Sequence, residues 1–388
     1  MTSSKKKIVL LGTTWPFRPG GIATFNERLA RALIHEGNDV TIYTFSLQYP
    51  GFLFPGKGQY SDQPAPEDLT IRIKVNSINP FNWISVGREL RNLAPDLLII
   101  RFWIPLMAPA LGTIARITRK NRHTRVIALA DNIIPHERRF GDLLLTKYFI
   151  QSIDGFVTLS HKVLDDLKRL RPSAPVLYTP HPLYDNFGKA VSREEALKKL
   201  GLDPDFRYLL FFGFIREYKG LDWLLTAFAD QRLRPFKVKL LVAGEYYTSS
   251  EKYDQIIREN NLEDDVVLHT KFIGDAMVPF YFSVADLIVQ PYKSATQSGV
   301  TQIAYHFEKP MLVTDVGGLA ETVPNGKVGY TVSPQPEAIT QALIDFMEKD
   351  RSAEFIRNLK TEKVRFSWEK MVETIEKLDV EILKNRLI

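Results

Sequence analysis

Short apolar runs separated by amphipathic stretches occur in two series along the chain, and this alternation is the strongest constraint on its fold. The first series is "KIVLLG", "DVTIYTF", "DLLII", "RVIALA", "GFVTLS" and "PVLY"; the second is "YLLFFG", "VKLLVAG", "DVVLH", "ADLIVQP", "PMLVTD" and "VGYTV". Near-continuous Val/Ile/Leu runs of this length mark strands buried on both faces, as in a parallel sheet covered by helices. After the first run, the spacing of Phe25, Leu29 and Leu33 predicts a helix over 22–36, stopped by Gly37. The alternation lapses over 178–205, where "YTPHPLYDNF" has no clear period and a charged helix, "SREEALKKLG", follows. The expected fold class is therefore α/β, with two Rossmann-like domains facing a cleft: residues 1–182 and 183–365, followed by an amphipathic helix over 366–388.

The length agrees, since 388 residues suit two domains of roughly 100–200 residues each. Cysteine is absent, which excludes a disulfide framework, a thiolate nucleophile and a thiolate metal site. The formal net charge is +6, with a local basic cluster, "TRKNRHTR", at 118–125. Such a cluster reads either as a solvated face or as a surface for anionic substrates or anionic lipid. No nucleic-acid-binding motif accompanies it. The apolar run Ile8–Leu11 is shorter than the roughly 7–15 residues of a signal-peptide core. The stretch "DLLIIRFWIPLMAPALGTIARI" is interrupted by Arg101 and two prolines, whereas a membrane span needs about 20 mostly apolar residues. It is expected to form a strand and a buried helix. These readings place the protein in the cytoplasm, with peripheral contact at an anionic membrane surface as the further expectation. The Pro/Gly-rich stretch at 48–68 reads as a long surface loop.

Candidate binding groups lie where strands end. Gly20 and Gly21 precede the first helix, so backbone N–H groups and a helix N-terminus are available to an anion. The full G-x-G-x-x-G pattern is missing, which argues against a nicotinamide cofactor. In the second series, "LLFFGFIREYKGLDWLL" ends a strand at Gly213 and carries Arg216 and Lys219 ahead of Gly220. Two cations at the mouth of a sheet neutralise a diphosphate, arginine through a planar fork and lysine as a point charge. Asp131, His136 and Glu137 follow the run "RVIALA", placed to orient a hydroxyl or shuttle a proton, and Arg101 belongs to the same side. "SATQSGV" precedes a helix with hydroxyls and a glycine, predicting a phosphate nest on the backbone N–H groups of Ser298, Gly299 and Val300. Gly317, Gly318 and Glu321 form a further turn after "PMLVTD". No His/Asp/Glu cluster has metal-ligand spacing and no G-x-S-x-G element is present, so neither a metal nor another cofactor is expected.

In this order the motifs resemble the family-four retaining glycosyltransferases, which have the GT-B fold. The similarity runs through the Gly20–Gly21 loop, Thr158–Ser160, "PHPLYDNF", "GFIREYKG", "LLVAG", "ADLIVQP" and "EKPMLVTDVGGLAE". The terminal "FSWEKMVETIEKL" resembles the family's closing helix, which crosses back to the first domain. The resemblance implies sugar transfer from a nucleotide-diphosphate sugar to a saccharide or lipid-linked acceptor, with retained configuration, in a bacterial envelope polymer. The second domain would hold the donor and the first the acceptor. Lys219 matches the family lysine on the diphosphate, while the neighbouring family arginine is replaced by Phe214, so Arg216 is expected to supply that charge. Asp131 stands at the slot of the family's active-site histidine.

The chain departs from the family at the Glu-x7-Glu motif. Aligned on Pro310, its two acids become Ala295 and Ile303, so polar contacts to the donor are expected from Gln297, Thr301 or Gln302. A glutamate restored at 303 is expected to reach the ribose. Because the main demand in retaining transfer is stabilisation of the departing phosphate, Lys219, Arg216 and backbone amides suffice for catalysis without those acids. The alternatives that these departures leave open are a non-catalytic nucleotide-sugar-binding protein and a nucleotide-sugar epimerase of similar architecture.

Overall fold

The computed structural model describes residues 5–387, apart from 19–20, 51–58, 62–63, 135–140, 184–186, 248 and 296–297. The chain forms two compact units, one of residues 1–181 with 368–388 and the other of residues 182–367. Unit 1 contains β1 (Lys7–Leu11), β2 (Asp39–Leu47), β3 (Thr70–Asn76), β4 (Leu97–Phe102), β5 (Arg125–Ala130), β6 (Gly155–Thr158) and β7 (Val176–Tyr178). They form one sheet in the order β3-β2-β1-β4-β5-β6-β7, with parallel pairing throughout. Unit 2 contains β8 (Arg207–Phe212), β9 (Val238–Ala243), β10 (Val266–His269), β11 (Leu287–Gln290), β12 (Met311–Thr314) and β13 (Gly329–Val332). Their order is β10-β9-β8-β11-β12-β13, again parallel.

The apolar runs give these strands because both sheet faces are covered. In unit 1, Ile8, Leu10, Ile99, Ile127 and Leu129 enter one core, while Val9, Leu11, Leu98, Ile100, Val126 and Ala128 enter the other. Successive residues thus serve opposite faces, which is the strand period of two. The first core is closed by Phe25, Leu29 and Leu33 of the helix Gly21–His35 and by Met371, Ile375, Leu378 and Ile382 of the C-terminal helix Trp368–Leu387. The second is closed by the helices Pro80–Leu93, Ala108–Thr118 and Asp142–Ile150, through Val86, Leu90, Leu111, Ile114 and Phe149. The stretch "DLLIIRFWIPLMAPALGTIARI" thus forms β4 and the buried helix Ala108–Thr118, as expected. No helix among the described residues is long and apolar enough to cross a membrane. β3 has no counterpart among the apolar runs: it is an edge strand in which only Val75 is fully buried.

The C-terminal helix is held to its sheet by charge as well as by apolar contact. Asp379 is fully buried and accepts from Arg125 Nε at 2.7 Å, Arg125 Nη2 at 3.1 Å and Lys6 Nζ at 2.8 Å. Burial pushes its carboxyl up, but the hydrogen bonds from Arg125 and Lys6 outweigh that and hold it below the usual carboxylate range. Gly155 allows the helix to lie close to β6, because a Cβ there would stand 2.8 Å from Ile382 Cδ1.

In unit 2, Leu209 and Phe211 face one core and Tyr208 and Leu210 the other. Ile303 belongs to the second core, with Val300, Ala304, Tyr305 and Phe307, and is 7% exposed. This corrects the expectation that a glutamate at 303 would simply meet a ribose, since the position packs among apolar side chains.

Two outcomes follow from these packing arrangements. Asp379→Ala strands the buried Arg125 guanidinium and is expected to cost about 3–5 kcal/mol in urea unfolding. Asp379's contribution is complete above the unfolded carboxylate value and is lost as pH falls through its lowered folded value. A midpoint unchanged by the substitution would show the pair to be dispensable. Ile303→Glu puts a carboxylate into the unit 2 core and is expected to lower the melting temperature of the ligand-free protein; a wild-type melting temperature would contradict this packing.

Candidate functional site

The site of unit 2 follows from topology. β8 lies between β9 and β11. The helix after β8, Leu221–Phe228, covers one face of the sheet through Leu221, Leu224 and Leu225. The helix after β11, Gly299–His306, covers the other through Val300, Ile303 and Ala304. The loops leaving β8 and β11 therefore diverge, and a crevice opens at the carboxyl ends of these two strands.

Glycines set the walls of this crevice. Gly213 follows β8 at φ +93°, Gly220 precedes the helix at φ +70°, and Gly244 follows β9 at φ +148°. A Cβ on Gly244 would stand 2.2 Å from Gly213 O, and one on Gly220 would stand 2.0 Å from Pro291 O. Only glycine supplies both the angle and the space. Backbone bonds complete the joint: Ile215 N donates to Glu245 O at 2.8 Å, and Lys293 N donates to Tyr218 O at 2.7 Å.

Lys219 stands inside this frame. Its Nζ would be 3.0 Å from a Cβ on Gly213 and is 5.7 Å from the centroid of the Tyr292 ring. Burial, with the charge of Arg216 adding to it, pushes its ammonium down to about 8. The neighbouring Lys293 is already engaged, 2.7 Å from Asp222 Oδ2, which also takes Lys252 at 2.8 Å. Lys219 and Arg216 have no carboxylate partner among the described residues. Arg216 lies over the Tyr247 ring at 3.9 Å, and Phe214, 40% exposed, meets the same ring edge-on at 5.2 Å. The arrangement leaves a half-buried cation without an anion in a polar crevice.

The loop after β11 is more self-contained than its sequence predicts. Ser298 Oγ donates to Gln290 Oε1 at 2.6 Å and accepts from Val300 N at 3.2 Å. Ser298 is therefore a helix cap, and the Val300 amide is spent on it. Of the three amides expected to form a nest, this cap takes only that of Val300 and leaves those of Ser298 and Gly299; Gly299 is exposed at the helix start, and its backbone is helical, so no unusual angle explains the glycine. Gln302 is 3% exposed and its Oε1 is buried with no hydrogen-bond partner among the described residues, as is Nε2 of Gln290. Glu321 is exposed on the short helix Leu319–Thr322. Gln297 lies outside the described residues.

Unit 1 repeats the topology. β1 lies beside β4, and the helices after them, Gly21–His35 and Ala108–Thr118, cover opposite faces. Gly12 follows β1 at a point where a Cβ would stand 2.5 Å from Asn26 Nδ2 and 3.2 Å from Arg101 Cβ. Arg101 donates from Nε to Asp131 Oδ2 at 2.7 Å and from Nη2 to Oδ1 at 2.5 Å, and its guanidinium covers the Phe25 ring at 3.7 Å. Burial pushes the Asp131 carboxyl up and the Arg101 guanidinium works against it. Asp131 is thus not a free base: both oxygens are held by Arg101, whose Nη1 is buried with no hydrogen-bond partner among the described residues. Gly21 is exposed at the start of its helix. Gly20, His136 and Glu137 lie outside the described residues.

Tyr292, Tyr247, Gly244 and Gln290 complete the unit 2 crevice but were not singled out in the sequence. Gly244 closes the run "VKLLVAG" and Gln290 stands just before a proline, signals visible only once these strands are known to be neighbours of β8.

Residues 19–183 match the family described as Glycosyltransferase Family 4, and residues 206–349 match that described as Glycosyl transferases group 1. The lipopolysaccharide 1,2-N-acetylglucosaminetransferase of Salmonella typhimurium is 26% identical over 220 residues, 53% of this chain and 56% of that protein. The D-inositol 3-phosphate glycosyltransferase 2 of Catenulispora acidiphila is 26% identical over 255 residues, 62% of this chain and 58% of that protein. The chain thus spans little more than half the length of these curated relatives. Anabaena Alr3699/HepE, solved in complex with UDP, superimposes with a TM-score of 0.71 at 16% identity, over 96% of this chain and 100% of that one. With two parallel sheets of this order and family matches over both units, the chain belongs to the group 1 and family 4 glycosyltransferases and has their GT-B fold.

Proposed function

We propose that the protein transfers a sugar, with retained anomeric configuration, from a nucleoside-diphosphate sugar to a saccharide or lipid-linked acceptor. The observation that carries this reading is Lys219, a cation with no carboxylate partner among the described residues, held over Gly213 at the switch point of unit 2. A desolvated ammonium there is stabilised by the diphosphate it binds. Its attraction to the departing phosphate grows as the glycosidic bond breaks, which is the differential stabilisation that accelerates the reaction. Arg216 adds charge from the same loop, and the exposed Gly299 N–H is available to a phosphate oxygen. Arg101 and Asp131, locked together at the carboxyl ends of β4 and β5, orient the acceptor side. Membership of the family and the lipopolysaccharide enzyme among the relatives support a role in a bacterial envelope polymer, with the reaction on the cytoplasmic side, where nucleotide sugars are made.

A second reading is donor binding without turnover. It is favoured by the core position of Ile303, which denies the site the family's second acid. Release of nucleoside diphosphate from a bound donor, followed over time, separates the two.

The diphosphate clamp has a pH signature. A nucleoside diphosphate (UDP, GDP, ADP or dTDP) binds the protonated form of Lys219, so its affinity is expected to be level below about 8 and to fall above it, by at most about tenfold per pH unit for one linked proton. Lys219→Ala is expected to cost about 1.5–3 kcal/mol in diphosphate affinity and to flatten that profile, with the parent nucleoside unaffected. Equal losses for nucleoside and diphosphate would move Lys219 away from the phosphates. The clamp's charge comes from the protein, so transfer is expected to continue in excess chelator; activity abolished by chelator and restored by magnesium or manganese would refute a metal-free reaction.

A further inference from the structure

The opposite end of the unit 1 strands holds a second concentration of cations that the proposed reaction does not use. Arg116, Arg119, Lys120, Arg122 and Arg386 line a cavity of about 450 Å³. They come from the end of the helix Ala108–Thr118, the turn after it and the end of the C-terminal helix. This turn leads into the first residue of β5, so the cavity lies at the amino end of that strand, while Arg101 and Asp131 stand at or just beyond the carboxyl ends of β4 and β5.

Most of these cations are fixed in place. Arg119 and Arg386 share one carboxylate, Asp154, at 2.7 and 2.9 Å. Arg386 Nη2 also donates to Thr124 O at 2.9 Å. Arg116 lies on the Tyr148 ring at 3.8 Å and donates to Tyr148 O at 2.8 Å. The turn itself is stapled by Asn121, whose Oδ1 accepts from the amides of His123 and Thr124, both at 2.9 Å. Lys120 and Arg122 project from it, exposed, with no side-chain hydrogen bond or ion pair among the described residues. Five cations thus converge against one shared carboxylate. A solvated basic face needs no such anchoring. Guanidinium groups ordered in advance around a cavity lower the entropic cost of binding an anion, and their forked donors match phosphate oxygens.

We propose that this cavity is a second anion site, separate from the donor crevice, that takes a phosphate-bearing ligand with at least two negative charges. A free phosphorylated saccharide and the phosphate head of a lipid share that chemistry.

The test is calorimetric titration with inorganic pyrophosphate at low salt in the full chain. A Lys219→Ala background removes the contribution of the donor clamp. Binding is expected in that background, and adding Lys120→Ala and Arg122→Ala is expected to weaken it at least tenfold with the melting temperature unchanged. The charge-retaining pair Lys120→Arg and Arg122→Lys is expected to keep it. No binding in the Lys219→Ala protein, or equal binding with and without Lys120 and Arg122, would overturn the proposal. Sedimentation with vesicles of phosphatidylglycerol in phosphatidylcholine then assigns the source. Co-sedimentation displaced by pyrophosphate and lost in the Lys120/Arg122 variant identifies a lipid head. Pyrophosphate binding without co-sedimentation identifies a free phosphate.

Discussion

A parallel sheet covered on both faces must send each crossing of the chain to one side or the other, and the rest of this protein's site depends on where that choice reverses. In unit 2 the reversal falls between β8 and β11, in unit 1 between β1 and β4. At each reversal two loops part and leave room that no helix fills. The glycines at 213, 220 and 244 then bring backbone against backbone, so the walls are rigid while the space between them stays open. Lys219 is carried by such a wall and not by a mobile side loop, which is why its ammonium remains desolvated without a carboxylate to compensate.

The molecule treats its buried charges in two ways. Arg125 and Asp379, like Arg101 and Asp131, are closed pairs in which desolvation is offset by direct hydrogen bonds. Lys219 is an open charge, with its acid constant moved towards neutrality. Asp222 makes the contrast plain, because it neutralises both Lys252 and Lys293 on the border of the same crevice and leaves Lys219 alone. Closed pairs build the units, whereas open charges await something from solution.

Much of this was legible in the sequence. All strands of the two sheets but β3 were readable because burial on two faces demands continuous apolar runs, and the Gly213–Lys219–Gly220 loop because its glycines and cations fall directly after such a run. β3 escaped because an edge strand half open to solvent has no such run. The pairing of Arg101 with Asp131 spans thirty residues and becomes visible only once β4 and β5 are neighbours. Ser298 has the composition of a phosphate loop, and only the structure shows its hydroxyl turned inward to Gln290 and Val300. Ile303 could have been read better: Val300, Ile303, Ala304 and Phe307 follow the helical period of a buried stripe, and that local phase outweighs a motif alignment.

The bond between Lys6 and Asp379 joins positions 373 residues apart. During synthesis the first sheet therefore emerges long before the helix that closes one of its faces, and Ile99, Ile127, Leu129 and Val157 lack that cover until this helix has left the ribosome. Unit 2, drawn from one continuous segment, has no such wait. The order of completion is thereby the reverse of the order of translation: the second unit to be made is the first able to finish folding, and the nascent first unit presents an apolar face in the interval.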